Sequence, residues 1–201
     1  MEKVVFITGT DTGVGKTFVT LKLAKELILH GHKVGIMKPI SCGPKGENDA
    51  LLFKKKLKLK DPLSTINPIS LRSPLAPYVA AWVEGKSLNL KKIFSSFRKL
   101  KAKYDVLLVE GVGGAMVPIE KDYFVADLIA ALAIPAIIVA RAGLGTINHT
   151  LMTVEALRKR KITISGIVLN GYKGGLVEKT NPAAIHELTG IDNIRILQWE
   201  D

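Results

Sequence analysis

The chain has 201 residues, 47% apolar and 23% charged, with 29 Lys and Arg against 18 Asp and Glu for a formal net charge of +11. That length suits one domain over residues 1–201 with a core of its own, and the composition excludes disordered, fibrous and disulfide-stapled classes. A lone cysteine fits a reducing compartment, no apolar run approaches the ~18 residues of a membrane span, and the N-terminus has no signal- or transit-peptide character, so cytoplasmic residence is expected.

Lys3-Val-Val-Phe-Ile-Thr8 reads as a short apolar strand, and Gly9-Thr-Asp-Thr-Gly-Val-Gly-Lys-Thr17 follows it as a phosphate loop. The glycines let backbone N–H groups turn inward around a phosphate chain, and the new helix N-terminus adds partial positive charge. Lys16 can reach the β- and γ-phosphates and Thr17 can ligate Mg²⁺. The usual loop has four residues between its first glycine and Gly-Lys-Thr; here there are five, which makes this a variant P-loop. Lys16 to Leu29 is a helix with Phe18, Leu21, Ala24, Leu27 and Ile28 on one side, ended by Gly31.

Lys33–Met37 is the second strand. Lys38, at its carboxyl end, is poorly placed for a core and well placed for an anion, and Pro39 turns the chain into a loop. Cys42 has no histidine at a recognisable spacing and reads as a small buried residue rather than a nucleophile. Asp49 opens a helix over Asp49–Leu57, either as an N-cap or as a metal carboxylate. Helices are expected over Pro74–Trp82 and Leu90–Lys103 before a third strand, Tyr104–Val109. Glu110 ends that strand and opens Glu110-Gly111-Val112-Gly113-Gly114, a carboxylate beside a phosphate loop where Mg²⁺ needs few acids. The remaining elements are a helix over Phe124–Ala133, a strand over Pro135–Ala140, a helix over Thr146–Arg160, a strand over Ile162–Leu169 and a helix over Asn181–Leu188.

The strands are apolar on both faces, the pattern of a doubly wound, mostly parallel α/β sheet flanked by helices, of the P-loop NTP hydrolase type. The basic runs Lys54–Lys60 and Arg158–Lys161 carry no interleaved aromatics and read as solvated helix ends, so neither nucleic acid nor membrane is an expected partner.

Taken together, Thr8–Thr17, Lys38-Pro39, Asn48-Asp49-Ala50, Val109–Gly114, Gly143-Leu-Gly-Thr-Ile-Asn-His149 and Val168-Leu-Asn-Gly171 resemble dethiobiotin synthetase, with Pro68 and Ser73–Pro77 also in step. The resemblance implies an ATP- and Mg²⁺-dependent ring closure in biotin synthesis, taking 7,8-diaminononanoate and CO₂ to dethiobiotin, ADP and phosphate through a carbamate and a carbamic–phosphoric anhydride. It implies Lys16 and Lys38 as catalytic cations. It implies Thr17, Asp49 and Glu110 as metal ligands, and Gly13, Val14, Gly15, Lys16, Thr17, Phe18, Asp49, Glu110, Gly111, Val112, Gly113, Asn170 and Gly171 as nucleotide contacts, Asn170 at the adenine. Thr12, Cys42, Leu144, Gly145, Thr146 and Asn148 match the substrate site, the last four donated across a homodimer interface at a helix start.

Cys42 stands where some members carry a hydroxyl residue, and Gly13 where some carry an acid. The sequence closes at Leu197-Gln-Trp-Glu-Asp201, short of a further loop and helix in many relatives, and looser base recognition is expected. The rival reading is a nucleotide-driven switch of the partition or division-site type. Such proteins carry a second lysine early in the loop, where this chain has Asp11. A cobyrinate-type amide ligase would need a glutaminase domain for which 201 residues leave no room.

Overall fold

A computed structural model describes residues 2–44 and 48–198. The elements in order are β1 (Val4–Gly9), α1 (Lys16–Leu29), β2 (Val34–Met37), β3 (Ile40–Cys42), α2 (Asp49–Lys56), α3 (Leu63–Ile66), β4 (Ile69–Leu71), α4 (Pro77–Val83) and α5 (Lys91–Lys103). They continue with β5 (Val106–Gly114), β6 (Pro118–Glu120), β7 (Tyr123–Phe124), α6 (Val125–Leu132), β8 (Ala136–Arg141), α7 (Thr146–Arg158), β9 (Ile164–Tyr172), α8 (Leu176–Thr189) and β10 (Ile194–Gln198).

Six strands make one parallel sheet in the order β10-β9-β8-β1-β5-β2. The two-residue period of β1 sends Val4 and Phe6 into one core and Val5 and Ile7 into the other. Ile93 and Phe97 of α5, Leu128 of α6, Leu157 of α7 and Ile185 of α8 fill the first core, while Val19 and Leu27 of α1, Phe53 of α2 and Ile66 of α3 fill the second. Helices therefore cover both faces, which is why the strand sequences are apolar throughout.

β1 lies at the centre of the sheet, between β5 and β8, with α1 leaving its carboxyl end, so the crevice of a doubly wound sheet opens there. Register then sets the site. Ile7 of β1 stands opposite Glu110, and Met37 of β2 stands opposite Val109, which brings Lys38 beside Glu110 at one rim.

Several boundaries differ from the sequence expectation. Pro39 does end the central ladder, but the chain resumes as β3, paired in parallel with β4 in a separate two-stranded sheet. β5 runs on through Gly114 because its glycines let it stay beside β1 after an irregularity between Ile7 and Gly9. Tyr104 belongs to the end of α5 rather than to β5. α4 begins at Pro77, a first-turn proline that needs no N–H partner. α8 begins at Leu176 instead of Asn181, since the Glu178 carboxylate caps it by accepting from the Lys173 and Gly175 amides at 2.6 and 3.2 Å. On α1 the buried face is Val19, Thr20, Ala24 and Leu27; Ile28 is exposed. The basic runs are not wholly solvated: Lys54 Nζ donates to the Leu59 and Asp61 carbonyls, and Arg160 pairs with Asp127 at 2.6 Å. Trp199 to Asp201, on which the expectation of looser base recognition rests, lie outside the described residues, as does Glu47 beside the Asn48 motif.

Candidate active site

The loop between β1 and α1 closes on itself through backbone geometry that glycine supplies. Gly13 and Gly15 sit at φ of +71° and +90°. A Cβ on Gly15 would lie 2.1 Å from Asn170 Nδ2, which donates to the Val14 carbonyl at 3.1 Å. Thr10 N donates to Val139 O at 2.9 Å and tethers the loop to β8, where Arg141 Nη2 also donates to the Thr12 carbonyl at 3.1 Å. Inside the loop Lys16 Nζ donates to Asp11 O at 3.1 Å. Burial, and next the nearby Lys38 charge, lower the Lys16 pKa to about 8 against the pull of Glu110, Asp49 and Asp11.

Lys38 is the hub of the acidic side. Its ammonium donates to Asp49 Oδ2 at 2.7 Å, to Glu110 Oε1 at 2.7 Å and to the Gly111 carbonyl at 3.1 Å. Burial disfavours the Lys38 charge, yet the Glu110 and Asp49 carboxylates outweigh it and hold the group above its ordinary value. Thr17 Oγ1 lies 3.1 Å from both Asp49 Oδ1 and Glu110 Oε1. The other Glu110 oxygen accepts from Thr20 Oγ1 at 2.7 Å. One hydroxyl and two carboxylates thus converge, and the two carboxylates share the Lys38 ammonium. That donor set suits Mg²⁺, which takes one or two carboxylates together with phosphate oxygens and water.

These groups line one cavity of about 330 Å³ bounded by Thr12, Gly13, Gly15, Lys16, Thr17, Lys38, Ser41, Cys42, Gly43, Asn48, Asp49, Val112 and Gly113. Lys16, Thr17, Lys38 and Asp49 therefore meet as the sequence suggested, with Glu110 buried behind them. Cys42 is half-buried, lining the cavity on one side and packed against the core on the other, and burial pushes its thiol up to about 11. Val14 and Phe18 pack their side chains against the core beneath α1. Asn170 stands beyond the loop next to Gly15, and its Oδ1 is buried without a hydrogen-bond partner among the described residues. Leu144, Gly145, Thr146 and Asn148 lie at the start of α7 and do not line this cavity. Sequence reasoning missed Thr20, Ser41 and Asn67, and quoted Asn48 in a motif without giving it a role. Among the three missed, the Asn67-Pro68 step offered a signal, a residue biased to an extended conformation before proline.

A family model described as an AAA domain matches residues 3–201. The ATP-dependent dethiobiotin synthetase of Thermodesulfovibrio yellowstonii is 44% identical, the match covering 96% of this chain and 88% of that protein. That of Methanocaldococcus jannaschii is 47% identical over 83% of this chain and 78% of its own length. That of Aquifex aeolicus is 43% identical over 97% and 89% respectively. Among solved structures, the septum site-determining protein MinD of Pyrococcus horikoshii, complexed with Mg-ADP, superposes with a TM-score of 0.61 at 18% identity, covering 100% of this chain and 82% of that one. The pNOB8 ParA protein bound to nonspecific DNA gives 0.60 at 14% identity, covering 100% and 86%. At those identities the structural likeness shows the fold, that of P-loop NTPases, and nothing of the activity.

Proposed function

The chain belongs to the dethiobiotin synthetase family, ATP-dependent ligases that close the ureido ring in biotin biosynthesis, and on that premise we propose how its own residues divide the work. Residues 1–201 act as one P-loop unit. One amine of 7,8-diaminononanoate takes up CO₂ as a carbamate. A carbamate oxygen attacks the γ-phosphorus of ATP, the bond to ADP breaks, and a carbamic–phosphoric anhydride remains. The second amine attacks the carbonyl carbon, loses a proton and expels phosphate as the ring closes.

The observation that carries this reading is the convergence of two ammonium groups, Lys16 and Lys38, on the cavity beside the phosphate loop. An anionic nucleophile approaching an anionic phosphoryl group needs cations on the shared charge more than it needs a covalent partner. Lys16 holds the phosphate chain, and Lys38 holds the carbamate against the γ-phosphate. Thr17, Asp49 and Glu110 would hold Mg²⁺, which when bound neutralises charge on the phosphates. Gly13 to Thr17 and the backbone of Val14 and Phe18 surround the phosphates, with Val112 and Gly113 on the cavity wall and Gly111 behind them, its carbonyl on Lys38. The unpartnered Asn170 Oδ1 is free to accept from the adenine amino group, next to Gly171. Thr12 and Cys42 face the diamine.

Leu144, Gly145, Thr146 and Asn148 lie away from their own cavity, which favours a homodimer in which these helix-start amides receive the substrate carboxylate bound by the other subunit. No described helix is long and apolar enough to cross a membrane. We assign the cytoplasm, with neither nucleic acid nor membrane as partner. The switch reading is disfavoured by Asp11, which stands where partition and division-site ATPases carry lysine.

Incubation of the protein with the diamine, bicarbonate, Mg²⁺ and ATP is expected to yield dethiobiotin detectable by mass. Lys16→Ala and Lys38→Ala are each expected to abolish that product with the circular dichroism spectrum retained. Turnover persisting in both variants would refute the roles, and ATP hydrolysis without dethiobiotin would favour the switch.

A further inference from the structure

Asn67 lies outside the cavity lining, in the turn between α3 and β4, and is only 5% exposed. Its amide uses all of its hydrogen-bonding capacity. Nδ2 donates to the Lys38 carbonyl at 2.8 Å and to the Ile69 carbonyl at 2.9 Å. Oδ1 accepts from Ser41 Oγ at 2.8 Å and from Asn48 Nδ2 at 3.0 Å. A primary amide offers two donors and two lone pairs, so this is a complete set with no capacity left over.

One partner, Ile69, is local, while Lys38 and Ser41 come from the segment that leaves β2 and Asn48 from the start of α2; Lys38 and Asn48 govern charged groups of the site. Lys38 is held on both sides of its peptide backbone: its N–H donates to Ile66 O at 2.8 Å, and its carbonyl accepts from Asn67. With no regular sheet partner beyond Met37, these bonds fix the direction in which the Lys38 side chain leaves the strand end. Asn48 caps α2 by accepting from Ala50 N at 2.8 Å, and Asp49 is the first residue of that helix. Asn48 also donates to Ser41 Oγ at 3.2 Å, which closes a small ring of polar groups. A largely buried network whose members are all satisfied is rigid, because any shift leaves a polar group unpaired.

We propose that Asn67 is a positioning residue for the ring closure: one buried amide sets the places of Lys38 and Asp49 relative to each other and so spaces the catalytic cation from the carboxylate that faces it. This rests on the roles given above to Lys38 and Asp49. Among the described residues the phosphate loop shares no hydrogen bond with the amide, so Asn67 acts on the chemical step and, through Asp49, on the Mg²⁺ requirement, while the loop's own contacts to the phosphates are left in place.

Asn67→Asp is the direct test. The isosteric carboxylate still accepts from Ser41 and Asn48 but cannot donate to the two carbonyls. With the full chain, kcat for dethiobiotin is expected to fall by about ten- to a hundredfold, the usual effect of removing a group that orients a ligand. ADP affinity by calorimetry at saturating Mg²⁺ stays within about threefold, because the loop residues are untouched. A kcat within about twofold of the unmodified protein, or a loss mirrored by an equal loss of ADP affinity, overturns the proposal. Asn48→Ser keeps the helix cap but deletes the bonds to Asn67 and Ser41, and it carries the test if Asn67→Asp melts below the assay temperature. Here the Mg²⁺ concentration that half-saturates nucleotide binding rises while the melting temperature holds; an unchanged Mg²⁺ requirement overturns the coupling to Asp49. Absence of dethiobiotin from the unmodified protein would overturn the proposed function itself. An active protein with unaffected variants would overturn only the positioning role.

Discussion

Cys42 shows how one residue's surroundings decide its chemistry. Its thiol lines the cavity, yet burial first, and the Glu84 charge with it, outweigh the Lys38 ammonium and push the pKa up to about 11. The thiolate is the reactive form, so raising the pKa empties it at neutral pH. Alkylation by iodoacetamide at pH 8 is expected to run roughly tenfold or more slower than for a free cysteine, after allowing for the greater nucleophilicity of a more basic thiolate. The rate climbs with each pH unit until about pH 11. Rapid labelling that levels off near pH 9 would contradict this. The charged side chains that meet at the cavity were legible from sequence because their chemistry is written in residue type and place: a lysine after Gly-Val-Gly, a lysine before proline at a strand end, a glutamate before glycines. Thr20, Ser41 and Asn67 were not. Their roles come from hydrogen bonds to residues far along the chain, such as Thr20 to Glu110, and a threonine inside an amphipathic helix looks the same whatever it faces.

Among the elements, the turn after α2 is fastened to the far side of the sheet by Asp61. That carboxylate accepts from Lys103 Nζ at 2.7 Å and from the Tyr104 hydroxyl, at the end of α5. Gly35 in β2 leaves the space for the ring: a Cβ there would meet Tyr104 Cδ2 at 2.4 Å. Burial alone would raise the Asp61 pKa, but the Lys103 and Tyr104 hydrogen bonds pull it below its ordinary 3.8. A depressed carboxyl contributes stability above its unfolded pKa and loses it as pH falls through the folded value. Tyr104→Phe is therefore expected to cost about 1.5–3 kcal/mol in denaturant unfolding at pH 7, the scale of a hydrogen bond to a charged group. The deficit should shrink below about pH 4, as Asp61 is protonated in both proteins; a deficit that stays constant with pH would place the cost in packing instead. The same elements show what patterning conveys. Long central strands with apolar residues on both faces were readable. β3, β4, β6, β7 and β10 were not, since they are two to five residues long or lie at an edge, where Arg195 is part-buried and Ile196 exposed. The glycines of β5 read as a loop although the chain there stays paired with β1.

At the scale of the whole molecule, one surface stands out around α7. Leu144, Met152 and Met116 are 92%, 62% and 49% exposed. Singly such residues are ordinary. Here the two methionines border a groove shared with Val117, Pro118, His149 and Thr153, and Leu144 sits at the start of the same helix. A second copy laid on this face would bury the apolar side chains and carry the α7 N-terminus toward the neighbouring cavity. Light scattering is then expected to give twice the chain mass. Because each chain carries a net charge of +11, two copies repel one another, and added salt should tighten the dimer by screening that repulsion while leaving the apolar contact intact. Met152→Glu should dissociate it at micromolar concentration. Turnover should fall with the dimer fraction, and ADP binding should persist in the monomer because the phosphate loop lies within one chain. A monomeric protein with full turnover, or a dimer that weakens as salt is added, would remove this face from the active assembly and return the substrate carboxylate to groups of the same chain.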